Sequence, residues 1–229
     1  MNTETQITLS KNTLSILKNF ASMNSNIFIG KGSVIKTITP SMSGMAEATV
    51  EETFDTPFGI WDLNKFLGVI SLFQSPTFEF EDKYVRIRGH NDTVVNYFYA
   101  EPRLLTIPKK SVNMPSTSIE ASMTQEMFSE LIRASSILQL PDITFQNRGD
   151  DIYAVVLDRA DPTSNICEIK IDGSSNGKSF NFNFKVDNIR LLAGNYKISF
   201  AKTLVGQFEN ESTSLKYWFA MEPSSTYTG

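Results

Sequence analysis

The sequence predicts an α+β protein of two similar domains joined by a proline-rich connector. The order strand, helix, several strands, helix and strand meander occurs twice, with a period above about 100 residues that is too long for a solenoid repeat. The 17 Phe residues, together with Val, Ile, Tyr and Thr, favour strands. Prolines at 102, 108 and 115 disfavour a regular helix or a central strand between them. We expect domains over residues 1–100 and 119–229, each with two helices against an antiparallel sheet, and a connector over 101–118.

In the first domain, residues 5–9 alternate as a short strand, and Ser10 is a suitable N-cap for a helix over about 11–22. Asp62 is the expected cap of a second helix. The Gly30-Lys31-Gly32 turn predicts a hairpin. The hairpin strands and the strands that follow are expected over 27–29, 34–39, 45–50, 77–81, 84–88 and 93–100.

The second domain repeats this order. A helix is expected over residues 124–138, and the alternation of SFNFNFKV at 179–186 places Phe180, Phe182 and Phe184 on one buried face. A short fourth helix is expected over 187–192, closed by Gly194. The remaining strands are expected over 118–122, 143–148, 152–158, 165–172, 196–201, 204–208 and 215–221.

Composition excludes several classes of protein. A hydrophobic content of 41% and a charged content of 20% are ordinary for a soluble globular protein, and no run approaches the roughly 18 apolar residues of a membrane span. The amino terminus lacks the pattern of a signal peptide, so we expect a cytoplasmic protein. The net charge of −4 argues against a generally basic protein that coats nucleic acid, but it leaves room for one basic face.

Catalytic and metal sites have little support in the sequence. The single Cys167 and the single His90 exclude an intrachain disulfide and a Cys-rich or His-based zinc site. The carboxylate pairs Asp150-Asp151 and Glu51-Glu52 lie at turns or strand ends, where we expect them to be solvated. We therefore expect no metal, no cofactor and no enzymatic activity.

Four segments resemble the DNA polymerase sliding clamp of T-even-type bacteriophages: LSKNTLSILKNFASMNS, IWDLNKFLGVISL, LIRASSILQL and RLLAGNYKISF. The resemblance runs nearly end to end. It implies the DNA-clamp fold, in which three two-domain subunits close into a ring with helices lining the hole and sheets outside. Such a ring encircles duplex DNA without reading its sequence and tethers the replicative polymerase. The implied setting is phage DNA replication in the cytoplasm of the infected bacterial host, without a membrane partner.

The resemblance also implies partners and sites. Partners are duplex DNA, two further copies of the chain, the replicative polymerase, an ATP-driven clamp loader and transcription factors of the phage. The DNA-facing candidates are the basic positions on the four expected helices: Lys11, Lys18, Lys65, Arg133 and Arg190. Lys11 and Lys18 share a polar stripe without an acid, whereas Glu126 lies on the same helical face as Arg133 and Ser136 stands where a second basic residue is expected.

Two protein-binding surfaces follow from the same resemblance. Residues 93–100 of one subunit are expected to pair with residues 164–171 of the next, with interface side chains at Val95, Tyr97, Tyr99, Ile166, Cys167 and Ile169. A groove for the carboxy-terminal peptide of the polymerase is expected along the connector, rimmed by Lys109 and Lys110. Its lining residues would be Leu104, Leu105, Ile107, Pro108, Val112, Met114 and Trp218. Strand alternation leaves Trp218 on the outer face, either half covered by a loop or available for docking.

Two alternatives remain at this point. A β-rich structural protein of a phage tail or baseplate would carry the same helix lysines as ordinary surface. A small hydrolase is disfavoured because the residues of a triad or a metal site are missing. Solution mass and salt-dependent retention on nicked circular versus linear DNA would separate these classes.

Overall fold

The computed structural model describes residues 6–90, 93–109, 112 and 114–229. The chain divides into two compact units, Met1–Lys110 and Ser111–Gly229. The division falls within the stretch expected to be a connector. The start of the expected strand at 5–9 lies outside the described residues, and so does Lys110.

The described residues of the first unit form two α-helices and three sets of antiparallel strands. The helices are α1 (Lys11–Met23) and α2 (Leu63–Ile70). The strands are β1 (Gln6–Ile7), β2 (Ile27–Ile29), β3 (Gly32–Ile38), β4 (Gly44–Phe54), β5 (Phe58–Ile60), β6 (Thr77–Phe80), β7 (Tyr84–Arg88) and β8 (Val94–Phe98). Within this unit β1, β6, β7 and β8 pair in that order, β2 pairs with β5, and β3 pairs with β4. A 3-10 turn at Pro102–Leu104 follows β8.

Both predicted helix caps of the first unit are confirmed. The Ser10 hydroxyl accepts a hydrogen bond from the Thr13 N–H at 3.1 Å, and the Asp62 carboxylate accepts one from the Lys65 N–H at 2.9 Å. The prediction that Glu52 is solvated is wrong. Its buried carboxylate reaches from β4 and accepts hydrogen bonds from the Ser10 N–H and the Thr13 hydroxyl. The carboxylate therefore bonds donors at the start of α1, the end of the helix that carries partial positive charge.

The predicted hairpin around Gly30-Lys31-Gly32 is wrong. Ile27 of β2 lies opposite Ile60 of β5, whereas β3 pairs with β4 along most of its length. The short β2 finds a partner of its own length, and the longer β3 satisfies more backbone groups on the eleven-residue β4. The turn connects strands that belong to different pairs.

In the second unit the described residues form one α-helix, α3 (Gln125–Leu138). Its strands are β9 (Ile119–Met123), β10 (Asp142–Arg148), β11 (Asp151–Leu157), β12 (Cys167–Gly173), β13 (Ser179–Lys185), β14 (Tyr196–Ala201), β15 (Val205–Asn210), β16 (Leu215–Ala220) and β17 (Thr226–Thr228). They pair antiparallel in the order β17, β13, β10, β11, β12, β9, β14, β15, β16. Phe180, Phe182 and Phe184 are buried on one face of β13, as predicted.

The chain turns sharply at the end of α3. Gln139 takes a left-handed conformation with φ of 56°, and the chain turns so that Leu140 is buried while Leu138 is exposed. The Ser135 hydroxyl donates to the Leu140 carbonyl at 2.6 Å and fixes this turn. The same turn leaves Ile137 exposed at 73%.

The predicted fourth helix is wrong, because only a 3-10 turn at Val186–Asn188 forms there. The Leu192 N–H donates to the Tyr217 hydroxyl at 3.0 Å, and the Tyr196 hydroxyl donates to the Leu192 carbonyl at 2.6 Å. The Tyr217 hydroxyl thus takes the Leu192 N–H that would end such a helix, and Tyr196 satisfies the Leu192 carbonyl. The α+β class with antiparallel sheets is confirmed, with three α-helices in the described part of the chain where four were expected.

Candidate functional site

The exposed face of α1 carries two lysines that no acid neutralises. Lys11 and Lys18 are seven positions apart, so they lie on the same side of the helix, and both are exposed. The sequence of α1 contains no acidic residue, and none of the ion pairs found among the described residues involves either lysine. The helix therefore presents two positive charges to solvent.

Two other DNA-facing candidates have acidic neighbours. The Lys65 ammonium lies 3.3 Å from the carboxylate of Asp62, and the bond from the Lys65 N–H is the main cause that lowers the pKa of Asp62. The Arg190 guanidinium lies 3.3 Å from the carboxylate of Asp187. Because the fourth helix is absent, Arg190 projects from an irregular segment. Both positions offer less positive potential than α1.

The remaining candidate, Arg133, lies on the exposed face of α3 beside two acids. Glu126 and Glu130 are exposed on the same helix, so α3 carries a net charge of the opposite sign to that of α1. The structure thus brings the uncompensated helix cations together on α1 and does not extend them to α3. The acids of α3 are visible in the sequence.

The first part of the connector is fixed to the first unit. The Thr106 N–H donates to the Asn26 side chain at 3.0 Å, and the Thr106 carbonyl accepts from the Asn24 side chain at 3.4 Å. Leu105 lies directly over Gly59, where an added Cβ would come within 2.6 Å of the leucine. Leu104 is 59% exposed. Four further groove candidates are partly buried: Ile107, Pro108, Val112 and Met114.

Trp218 does not provide an exposed wall for a peptide, contrary to the expectation for the groove. The side chain is only 7% exposed, and its indole N–H donates to the Gln207 side chain at 2.8 Å. The other face of β16 is also buried, with Leu215, Tyr217 and Phe219 in the core. Strand alternation gave the correct face for Trp218 but not its coverage, which depends on contacts distant in sequence.

The strand β8 forms one edge of its sheet, because within the described residues it pairs only with β7. The expected interface side chains Tyr97 and Tyr99 point into their own unit. The Tyr97 ring lies 5.1 Å from the Phe66 ring, and its hydroxyl donates to the Asp62 carbonyl at 3.1 Å. Burial raises the pKa of Tyr97. The Tyr99 ring lies 5.6 Å from the Phe58 ring.

The opposite face of β8 presents side chains that were not selected as site residues. Phe98 is 68% exposed, and Val94 is also exposed. The sequence did contain the signal, because period-2 alternation of TVVNYFYA separates Val94, Asn96 and Phe98 from the aromatic residues that face inward.

A second open edge lies in the second unit. The strand β12 pairs with β11 along Cys167–Ile171 but with β9 only at Asp172 and Gly173. Ile166, which precedes the strand, is 57% exposed, whereas Cys167 and Ile169 are half-buried. The backbone groups of β12 on its outer side are therefore available for pairing.

The remaining candidates for catalysis or metal binding have structural roles or are exposed singly. Asp150 accepts hydrogen bonds from the Ser175 hydroxyl and the Gly177 N–H, which lower its pKa in that order of importance and hold a loop in place. His90 is exposed. No group of three or more metal-ligating side chains occurs among the described residues.

Within the same residues, no helix has the length and apolar character that crossing a membrane requires.

Comparisons with known proteins agree with this arrangement. A family model described as DNA polymerase processivity factor matches residues 10–83. The sliding clamp of Escherichia phage RB69 is 30% identical over 96% of this chain and 98% of its own. The sliding clamp of Enterobacteria phage T4 is 29% identical over the same shares, and that of Vibrio phage KVP40 is 28% identical over 93% of this chain and 98% of its own.

Solved structures extend the likeness to the fold. A. fulgidus PCNA bound to the C-terminal region of FEN-1 gives a TM-score of 0.72 at 12% identity, covering 96% of this chain and 99% of that one. PCNA from Thermococcus kodakaraensis gives 0.69 at 12% identity, covering 95% and 99%. The fold is that of the DNA clamps.

The chain belongs to the phage sliding-clamp family of DNA polymerase processivity factors. It is a non-enzymatic component of DNA replication, and the family implies DNA and a DNA polymerase as its partners. The tail or baseplate alternative is not favoured.

Proposed function

We propose that three copies of the chain close into a ring of six similar domains that encircles duplex DNA and tethers the replicative polymerase. The acid-free lysine face of α1, on a chain with a net charge of −4, is the observation that carries the proposal. A closed ring stays on DNA without tight binding, because it cannot leave the duplex unless it opens. A polymerase tied to it rebinds at high effective concentration.

In this proposal the helices face the phosphate backbone and read no base. Lys11 and Lys18 supply the strongest local attraction, and Lys65 adds to it where Asp62 leaves it partly compensated. Arg133 and Arg190 contribute less, because acids accompany each of them. Weak, unspecific contacts of this kind allow the ring to slide.

The proposed ring closes through the two open sheet edges. The strand β8 of one subunit would pair with β12 of the next, because an unpaired edge needs a partner or protection. Each subunit has one edge of each kind, so the contact is head-to-tail, and a rotation of one third of a turn between neighbours closes the ring at three copies. Exposed Ile137 at the end of α3 is a further candidate for this seam.

The proposed peptide site lies on the connector. Leu104 is exposed, Ile107 and Pro108 are half-buried, and Lys109 lies next to them in the sequence. A short apolar peptide from the carboxy terminus of the polymerase suits such a surface. An ATP-driven clamp loader and transcription factors of the phage would use the same ring, in the cytoplasm of the infected host.

Sedimentation at micromolar concentration tests the ring directly. The expected result is a species of three times the chain mass of 25.7 kDa. A monomer at every accessible concentration would contradict the proposal, because a single chain cannot enclose DNA.

A further inference from the structure

Along β8, residues whose backbone N–H and C=O groups bond to β7 alternate with residues whose N–H and C=O groups point away from the sheet. The Tyr99 N–H donates to the Lys83 carbonyl at 3.0 Å, and the Gly89 N–H donates to the Thr93 carbonyl at 3.0 Å. In an antiparallel ladder the bonded positions recur every second residue. The residues whose N–H and C=O groups point outward are therefore Val94, Asn96 and Phe98.

The side chains of both open edges fall into two faces. In β8, Tyr97 contacts Phe66 of α2, so odd-numbered residues face the helices and Phe98 faces away. In β12, Ile171 is buried and the strand packs against α3, so Cys167 and Ile169 share the helix face. Three residues lie on the other face of the β12 segment: Ile166, Glu168 and Lys170.

These faces restrict how the two edges can meet. Directly opposed residues of antiparallel strands have their side chains on the same face, and a one-residue slip reverses every side chain. If the helices of neighbouring subunits are to lie on the same side of a continuous sheet, even-numbered residues of β8 must oppose even-numbered residues of β12. Only shifts of two residues then remain as alternatives.

This inference rests on the ring proposed above. We propose that β8 of one subunit pairs with β12 of the next in the register that places Phe98 opposite Ile166 of the partner subunit. Asn96 then opposes Glu168 of the partner subunit, and Val94 opposes Lys170 of the partner subunit. The two largest exposed apolar side chains of the open edges, Phe98 at 68% and Ile166 at 57%, cover each other. The occupant of each edge is a second copy of this chain.

Shifting the register by two residues loses this match. In one direction Phe98 faces Glu168, a carboxylate already paired with Arg148, and in the other it faces Ser164.

Disulfide trapping tests the register. Phe98→Cys with Ile166→Cys, in a Cys167→Ser background, places two thiols at an opposed hydrogen-bonded pair. The expected Cα separation of about 5.5 Å suits a disulfide. Mild oxidation should convert the trimer into covalent dimers and trimers on a non-reducing denaturing gel. The matched controls, Asn96→Cys with Ile166→Cys and Phe98→Cys with Glu168→Cys, should give no covalent trimer.

The outcomes separate the register from the ring. A trimer in sedimentation that is trapped by a control pair instead overturns the register and leaves the ring standing. A wild-type monomer at every concentration overturns both. If Phe98→Cys prevents assembly, Val95→Cys with Ile169→Cys samples the same register on the helix face. Failure of this pair to crosslink in an assembled trimer also overturns the register.

Discussion

Lys11 and Lys18 matter as single residues because nothing on α1 opposes their charge. Elsewhere in the first unit, acidic and basic side chains pair with each other and stabilise the fold. Glu79 is buried, and its bonds from Arg88, Gln6 and Arg86 lower its pKa to about 2, with the bond from Arg88 contributing most. Charges bound in this way are not available to a ligand. The contrast supports a surface role for the two lysines.

Reversing both lysine charges should affect DNA and leave the fold intact. Lys11→Glu with Lys18→Glu changes exposed positions, so the free energy of unfolding should change by no more than about 0.5 kcal/mol. Stimulation of the polymerase should fall, most at low salt, where the attraction between these lysines and phosphate is least screened, and the difference from wild type should shrink as salt rises. Processive synthesis measured across a salt series checks this.

A matched control is Lys197→Glu with Lys202→Glu, which reverses two exposed lysines outside the helices. It should leave stimulation unchanged. Equal loss in both variants would show that net charge matters and the α1 face does not.

At the scale of elements, the sequence predicted what local chemistry determines. The caps Ser10, Asp62 and Thr124 start α1, α2 and α3 at or within one residue of the expected positions, and the alternation in β13 gave its buried face. The errors arise where distant residues decide. Where the fourth helix was expected, the hydroxyls of Tyr196 and Tyr217 bind both backbone groups of Leu192, and no local sequence pattern predicts these contacts.

The connector illustrates the same limit for the candidate site. Its irregular course follows from its prolines, but they do not explain why one of two neighbouring leucines is packed and the other is exposed. Leu105 covers Gly59, whereas Leu104 is exposed, and the bonds of Thr106 to Asn24 and Asn26 hold the adjacent backbone in place. The selection of Trp218 as a groove residue failed for a related reason, since burial depends on contacts distant in sequence.

Substituting the two leucines separates binding from folding. Leu104→Ala should weaken a polymerase-tail peptide by about 1 to 3 kcal/mol, because it removes an exposed apolar anchor, and should leave the melting temperature unchanged. Leu105→Ala should lower the melting temperature, because it uncovers Gly59. Calorimetric titration and a melting curve for each variant check this. Wild-type affinity in the Leu104→Ala variant would remove the connector from the peptide site.

At the scale of the whole molecule, an acidic chain with a small basic face suits enclosure better than tight binding. Lys11 and Lys18 are the uncompensated cations of α1, and α3 adds acids, so we expect phosphate attraction alone to give weak and salt-sensitive binding. In the proposed ring, retention on DNA comes from the closed path of subunits. The open edges of β8 and β12 are the features that would close it.

Release from circular DNA on linearisation tests this claim most directly. The clamp is loaded onto a nicked circle by an ATP-driven loader, passed through a sizing column at moderate salt, and compared before and after a single restriction cut. The account predicts co-elution with the circle and loss from the linear product, because a ring slides off free ends. Equal retention on both forms, or retention on neither when the loader is active, would contradict it.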